Sequence, residues 1–138
     1  MNQGLSVIRL IIESEESLSF LRDVKTVETT LLHEKNSPRI SRSGKKIGGI
    51  YNSNKWSGRL FRISTNSINE DILINALRKV DLIKTEIQSN KVIISRFDLI
   101  IDLSGNYNMT VIIDEHILSI ISDLGVSLSM EVFPDWLE

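Results

Sequence analysis

The sequence predicts a single α+β domain over residues 1–138, with a mainly antiparallel sheet of about five or six strands and two longer helices on one face. Three observations predict this class. Several segments have the aliphatic or alternating pattern of strands, two segments have the period of amphipathic helices, and no linker or repeat divides the chain. We expect the first and last strands to be central in the sheet.

The first half of the chain is predicted to be rich in strands. Residues 5–13 (LSVIRLIIE) are largely aliphatic, which is typical of a strand that is buried on much of both faces. A short helix capped by Ser14 is expected next, and then a strand over residues 26–33. A further strand over residues 55–64 is predicted to lie at the sheet edge, with Trp56 packed in the core.

The strongest helix signal begins at Ser67. Ser67 and Glu70 have the spacing of a capping box, in which each side chain binds a free backbone amide of the first helical turn. Residues 97–103 alternate between apolar and polar side chains and predict a strand. The turn residues at 104–106 indicate that this strand continues as a hairpin into a short strand over residues 108–113.

A second helix and a closing strand are predicted at the end of the chain. Asp114 can cap the helix at its start, and Gly125 suits the left-handed conformation that ends many helices. Alternating apolar residues over 126–132 then indicate a strand.

Charge is strongly segregated along the chain, although the formal net charge is only -2. Residues 98–138 hold eight acids and no Lys or Arg, whereas residues 1–65 hold eleven Lys and Arg against six acids. Such asymmetry indicates which partners the surface attracts and does not indicate a fold.

The acidic third of the chain supplies the predicted partner-binding residues. Asp98 and Asp102 are four apart on one face of a predicted strand, and Glu131 is expected on a neighbouring strand. With Asp135 and Trp136 they are predicted to form an acidic docking surface for another protein. The plainer interpretation is a solvated sheet face, with Trp136 as a lid on the core.

A basic stretch with several glycines, SRSGKKIGGIYNSNKWSGRLFR, precedes the first long helix. Its glycine spacing does not match the phosphate-binding loop of nucleotide-binding proteins. Nucleic-acid binding through the basic 39–62 segment is an alternative function, but the acidic remainder would repel a polyanion, so we expect a solvated loop instead. The residues of this alternative basic site are Arg42, Lys45, Lys46, Lys55 and Arg59.

Several other functions are not predicted. The chain has no cysteine, which excludes disulfides, thiolate metal ligands and a thiol nucleophile. His33 and His116 are far apart in sequence, and we predict no catalytic residue, no metal site and no cofactor, hence no enzyme. We find neither a secretory signal pattern nor an apolar run that could span a membrane, so a cytoplasmic location is expected.

The order of elements resembles a bacterial family of small domains of unknown function. The resemblance rests on Trp56 followed by Ser57, on Leu124 followed by Gly125, and on the closing segment 128–133, although a Leu-Gly-x-x-Pro run typical of the family is missing around residues 24–29. Some domains of this kind resemble immunity proteins, which bind and silence a co-produced toxin. The resemblance therefore implies a cognate protein toxin as the partner, and the predicted acidic surface would suit a basic toxin such as a nuclease.

Overall fold

The computed structural model describes residues 5–41, 43–64, 67–104 and 110–133. The described ranges contain nine strands, two α-helices and one short 3-10 helix, Ser19–Asp23. The strands are β1 (Leu5–Ser14), β2 (Glu28–His33), β3 (Pro38–Ile40), β4 (Lys46–Ile50), β5 (Asn54–Ser64), β6 (Ser67–Ile68), β7 (Ile94–Ser104), β8 (Thr110–Val111) and β9 (Ser127–Phe133). The helices are α1 (Glu70–Ser89) and α2 (Glu115–Leu124). The predicted α+β class is confirmed.

Five strands form the main sheet, in the order β2-β5-β1-β7-β9. The pairs β2–β5, β5–β1 and β1–β7 are antiparallel, and β7–β9 is parallel. The sheet is mixed because α2 carries the chain back across the molecule, so that β9 runs in the same direction as β7. The prediction that the first strand is central is confirmed.

The prediction that the last strand is central is wrong, because β9 lies at the edge of the sheet. Val132 on β9 is 66% exposed, although it alternates with polar residues as a buried strand residue would. The predicted edge position of β5 is also wrong, since β5 lies between β2 and β1. The position of Trp56 in the core is confirmed, and this side chain is fully buried.

One apolar core lies between the sheet and the two α-helices. Strand β1 contributes Ile8, Leu10 and Ile12, and the adjacent strand β7 contributes side chains from the same face. The helices add the largest further group of buried residues, namely Leu73, Ala76, Leu77, Val80, Ile83, Ile87, Ile117 and Leu124. Both helices therefore cover the same face of the sheet, as predicted.

The predicted caps of α2 are confirmed. The Asp114 side chain accepts a hydrogen bond from the Ile117 amide at 2.9 Å. Gly125 has the left-handed conformation, with φ 67°, and its amide donates to the carbonyls of Ile121 and Ser122. Both features use residues that are close in sequence, which is why the sequence alone identifies them.

The capping residue of α1 and the predicted hairpin require correction. Asn69, and not Ser67, accepts the hydrogen bond from the Ile72 amide. Ser67–Ile68 instead forms β6, which pairs in parallel with β8. Strand β8 therefore does not form the predicted hairpin with β7, and the turn expected at residues 104–106 lies largely outside the described residues.

The short helix begins later than predicted. Ser14 ends β1 instead of capping a helix: its hydroxyl donates to the Ile93 carbonyl at 2.8 Å and accepts from the Glu16 amide at 2.9 Å. The 3-10 helix follows at Ser19–Asp23 and buries Leu21. Ser14 thus fixes the end of the central strand against the loop before β7.

The basic stretch contains a projecting β-hairpin, β3 and β4, where the sequence predicts a loop. We call residues 38–50 the arm. The two strands pair with each other, and every residue in them is exposed. Ile40, Ile47 and Ile50 are each about half exposed. At its base the arm joins the main sheet through the ring stack of His33 and Tyr51, whose centroids are 3.6 Å apart.

Candidate functional site

The face of the main sheet opposite the helices carries the predicted acidic residues. We call it the open face, because the described helices lie on the other side of the sheet. Strand register places a mixture of charged and apolar side chains there, namely Arg9, Ile11, Glu13, Lys55, Arg59, Arg96, Asp98, Ile100, Asp102 and Glu131. The structure therefore brings Asp98, Asp102 and Glu131 to one face, on the adjacent strands β7 and β9.

Arg9 links the two strands that carry these acids. Its Nε donates to Asp102 Oδ2 at 2.7 Å, and its Nη2 lies 3.3 Å from Glu131 Oε2. Asp102 and Glu131 are direct neighbours in the parallel register, so one guanidinium can reach both. Asp102 Oδ1 is buried and has no hydrogen-bond partner among the described residues. Glu131, with a side chain 46% exposed, is the most accessible acid of this cluster.

Arg96 organises a second cluster at the other end of the open face. Its Nε donates to Asp98 Oδ2 at 2.6 Å, and its Nη1 lies 3.2 Å from Glu13 Oε2. Ser53 Oγ also donates to Glu13 Oε1 at 3.0 Å. The hydrogen bond to Asp98 and the further contact with Glu13 outweigh the opposing effect of burial and raise the pKa of Arg96.

The pKa of Glu13 is below its ordinary value, and the causes act in opposite directions. Burial alone would raise it, but hydrogen bonds from Ser53 and Arg96, with the charges of Lys55 and Arg96, lower it by more. Glu13 is therefore held as a carboxylate. The charge pattern of this part of the open face is thus set by several strands together.

Two isoleucines lie between the arginine clusters. Ile11 on β1 and Ile100 on β7 are only 5% and 3% exposed, although they are on the open face. The aliphatic stems of neighbouring long side chains can screen such residues from water while their charged ends remain exposed. The arginines therefore act both as ion-pair partners and as cover for this apolar centre.

The predicted acids do not form a purely acidic surface. Asp98, Asp102 and Glu131 each pair with an arginine of β1 or β7, and none of these pairs involves the arm. The result is a face of alternating charge with fixed side-chain positions. Asp135 and Trp136, the other two predicted partner-binding residues, lie outside the described residues.

The four residues of the alternative basic site that the structure describes are divided between the arm and the main sheet. Lys45 and Lys46 are exposed at the arm, with Lys46 in β4, whereas Lys55 and Arg59 lie in β5 of the main sheet. Arg59 is 3.6 Å from the Glu28 carboxylate on β2. Arg42 is outside the described residues.

The base of the arm holds a histidine whose pKa is lowered. Burial is the largest cause, and the nearby charge of Lys55 acts in the same direction. The Nδ1 atom of His33 is buried and has no hydrogen-bond partner among the residues that the structure describes. His33 is therefore favoured in its neutral form, stacked on Tyr51.

Two features of the surface were missed by sequence reasoning. One is the pairing role of Arg9, for which an isolated arginine within the aliphatic run LSVIRLIIE is an available signal, since a charge among apolar residues usually has a partner. The other is a groove of about 570 Å³ between α1 and α2, lined in part by Arg78, Asp81 and His116. Within the described ranges, no three potential metal-binding side chains converge in this groove or elsewhere.

Comparisons with protein-family models, curated proteins and solved structures found no match to this chain. Membership of the family that the sequence resembles therefore stays a prediction. Within the described parts of the chain, neither α-helix combines the length and the apolar character that crossing a membrane requires.

Proposed function

We propose that this protein is a protein-binding module that docks its partner on the open face of the main sheet. The observation that carries the proposal is the arrangement of Asp98, Asp102 and Glu131 on two adjacent strands, oriented by Arg9 and Arg96. Side chains that are already ordered lose less conformational freedom on binding than free ones do. Such a face suits recognition of a second protein.

Recognition would depend on matching a pattern of charges. Glu131 is the most accessible acid of the Arg9 cluster, so a Lys or Arg of the partner can pair with its free side. Acids of the partner can in turn approach Arg96, whose side chain is 38% exposed. An alternating pattern repels partner surfaces that present a charge of the wrong sign at Glu131 or at Arg96. It therefore increases specificity and the rate of association more than it increases affinity.

The specific form of this proposal is an immunity protein that neutralises a bacterial toxin in the cytoplasm. The support for it is the sequence resemblance described above, together with an open face that spans the five strands of the main sheet. A basic nuclease is one suitable toxin, because its cationic substrate-binding surface would meet Glu131 and Asp98. Inhibition by occlusion requires no catalytic group on this chain.

The proposal is tested with the protein encoded by the neighbouring reading frame as the candidate partner. Neutralising the two more exposed acids, in an Asp98→Asn and Glu131→Gln double variant, is expected to weaken binding by about tenfold or more. Affinity is measured by calorimetry, and circular dichroism checks that the variant is folded. The matched control neutralises two exposed acids of α1, Asp71→Asn with Glu86→Gln, and should bind as the wild type does. Equal affinity of both double variants would reject the open face as the docking site.

A second candidate function, nucleic-acid binding, is supported by one observation. The arm projects from the sheet, its strands are wholly exposed, and the sequence of residues 38–50 contains no acid. Cationic hairpins of this form can contact phosphates. The arm, without Lys55 and Arg59, would then be the binding element.

This alternative predicts binding that weakens steeply with salt. A variant with both Lys45→Ala and Lys46→Ala should bind a single-stranded or duplex oligonucleotide more weakly. A plot of its log affinity against log salt concentration should be less steep than that of the wild type, by about 2. Fluorescence anisotropy measures both quantities. Lys25→Ala with Lys91→Ala removes two exposed lysines from elsewhere on the surface and serves as the control. No binding by the wild type at low salt would exclude the function.

A further inference from the structure

Among the strands that the structure describes, β9 forms one edge of the main sheet. Among the described strands, β9 pairs only with β7, through seven consecutive residue pairs and without a register shift. The other hydrogen-bonding side of such a regular edge strand can accept a further strand. Edge strands of this length usually carry features that prevent such pairing.

The two edges of the sheet differ in these protective features. The opposite edge strand, β2, has a register shift between Thr29 and Leu31 and continues towards the projecting arm. Strand β9 (SLSMEVF) has no Pro or Lys, and its single charged residue, Glu131, is paired with Arg9 of its own sheet. Only β2 is thus protected against pairing with another strand.

Apolar side chains line the edge at β9. Met130 and Val132 are 50% and 66% exposed. They are in register with Ile101 and Leu103 of the core, so they point to the side of the sheet that the helices occupy. Exposed apolar residues on an edge strand indicate a surface that another chain covers.

Helix α2 extends this apolar strip. Helix α1 lies over β5, where Lys79 Nζ donates to the Leu60 carbonyl at 2.7 Å, so α2 is the helix towards β9. The residues of α2 that face α1 include His116 and Ile120. Leu118 is on the opposite side of α2, away from α1, and is 53% exposed.

We propose that β9 pairs in antiparallel fashion with β9 of a second copy of this chain, which joins the two main sheets into one continuous sheet. The sequence of β9 is self-complementary about its central residue, Met130. A two-fold axis at Met130 pairs all seven residues, and it places Glu131 opposite the partner's Ser129 and Val132 opposite the partner's Leu128. A two-fold axis at Glu131 would instead place the Glu131 carboxylates of the two copies directly opposite each other.

The same axis explains the exposed side chains around the edge. A two-fold axis perpendicular to the sheet keeps the helices of both protomers on one side, so each Leu118 approaches the α2 helix of the partner. Met130, Val132 and Leu118 are then covered together. The open faces of both protomers remain free on the other side, so this inference does not depend on the proposed function.

Sedimentation velocity over a range of concentrations tests the proposal. The wild type is expected to reach twice the monomer mass, and Val132→Lys is expected to remain monomeric because it places a charge against the partner's Leu128 and removes apolar surface that the dimer covers. The control, Leu82→Lys, charges an exposed apolar residue of α1 that is 49% exposed and should leave the dimer intact. A wild type that is monomeric at every concentration, or a dimer that Val132→Lys does not disturb, would overturn the proposal.

A single-cysteine variant tests the register of the two β9 strands. Its result remains valid even if Val132→Lys does not fold. The chain contains no cysteine, so Met130→Cys introduces only one thiol. Directly opposed residues of antiparallel strands have Cα atoms about 4.5–5.5 Å apart, within the range of a disulfide. Mild oxidation should therefore cross-link Met130→Cys dimers quickly and leave the exposed control Ile93→Cys mostly uncross-linked. Equal cross-linking of the two variants would contradict the Met130 axis.

Discussion

Gly58 occupies a position in β5 where no larger residue fits. A Cβ atom built there would overlap the Trp56 ring, approaching its Cζ2 to 2.5 Å, and would lie 2.7 Å from Val27 Cγ1. The indole is fully buried, and its Nε1 donates to Thr29 Oγ1 at 2.9 Å. The absence of a side chain at Gly58 thus allows the tryptophan to lie flat against the strand.

Gly58→Ala is expected to destabilise the protein by about 1–3 kcal/mol, because the added methyl group forces the Trp56 ring or Val27 to move. Urea unfolding measures the change in the free energy of unfolding. In a Trp56→Phe background the smaller ring leaves room, and the same substitution should cost less. Equal costs in the two backgrounds would show that the ring is not what excludes a side chain.

Residue-scale predictions succeed where the partner is close in sequence. Asp114 and Gly125 bind backbone groups within four residues, so their roles can be recognised from local sequence. Ser67 fails because Asn69, two residues later, is an equally good cap and the strand pairing of Ser67 decides between them. The sequence signals that Arg9 has a partner, but the identity of that partner could not be predicted because Asp102 is 93 positions away.

At the scale of elements, the arm makes little contact with the rest of the protein. Its strands pair with each other and are exposed throughout, so their contribution to the core is small. The flanking residues are already paired: the Tyr51 amide donates to the Ser37 carbonyl at 3.0 Å, and the Asn36 amide donates to the Tyr51 carbonyl at 2.9 Å. The chain can therefore turn directly from Ser37 to Tyr51.

Replacing residues 38–50 by Asn-Gly should leave the thermal unfolding midpoint within about 4 °C of the wild-type value. The reason is that the replacement removes exposed residues and keeps the His33–Tyr51 stack. Differential scanning calorimetry gives the midpoint. Extending the deletion to Tyr51 removes the stack and provides the comparison, which should be less stable. A large loss with the shorter deletion would show that the arm stabilises the core.

Element type could be predicted better than element position. Alternation in residues 97–103 identifies a strand because one side of β7 faces the core and the other carries mainly charged residues. The same alternation in residues 126–132 does not reveal that β9 is an edge strand, since that depends on which strands lie beside it. The candidate site has the same limit: its acids could be predicted, but the pairing of Arg9 with Asp102 and Glu131 depends on the strand order.

At the scale of the whole molecule, strand order mixes charges that are separate in the sequence. Strands β1 and β5 come from the basic part of the chain, β7 and β9 carry the acids Asp98, Asp102 and Glu131, and β1 lies between β5 and β7. Asp102 and Glu131 therefore meet Arg9 on the open face, and Asp98 pairs with Arg96 of its own strand, so these three acids do not form one negative region. Several exposed or half-exposed ion pairs of this kind contribute little individually to stability.

Stability should fall in acid. The folded protein lowers the pKa of Glu13 below its unfolded value, so the stabilisation is present above the unfolded pKa and is lost as pH falls through the folded pKa. The free energy of unfolding, measured with urea, should therefore decrease as pH falls below about 4.5. Glu13→Gln should reduce this pH dependence, whereas Asp71→Asn, at an exposed site on α1, should reduce it less. An identical pH dependence in the wild type and Glu13→Gln would contradict the prediction.

The central position of β1 has a consequence for folding on the ribosome. Strand β1 is synthesised before both of its neighbours in the sheet, which end at residues 64 and 104. Strand β1 therefore cannot complete its pairing, which involves Ile8, Leu10 and Ile12, until residue 104 has emerged from the exit tunnel. During translation this protein should depend on chaperones that shield the aliphatic segment of β1.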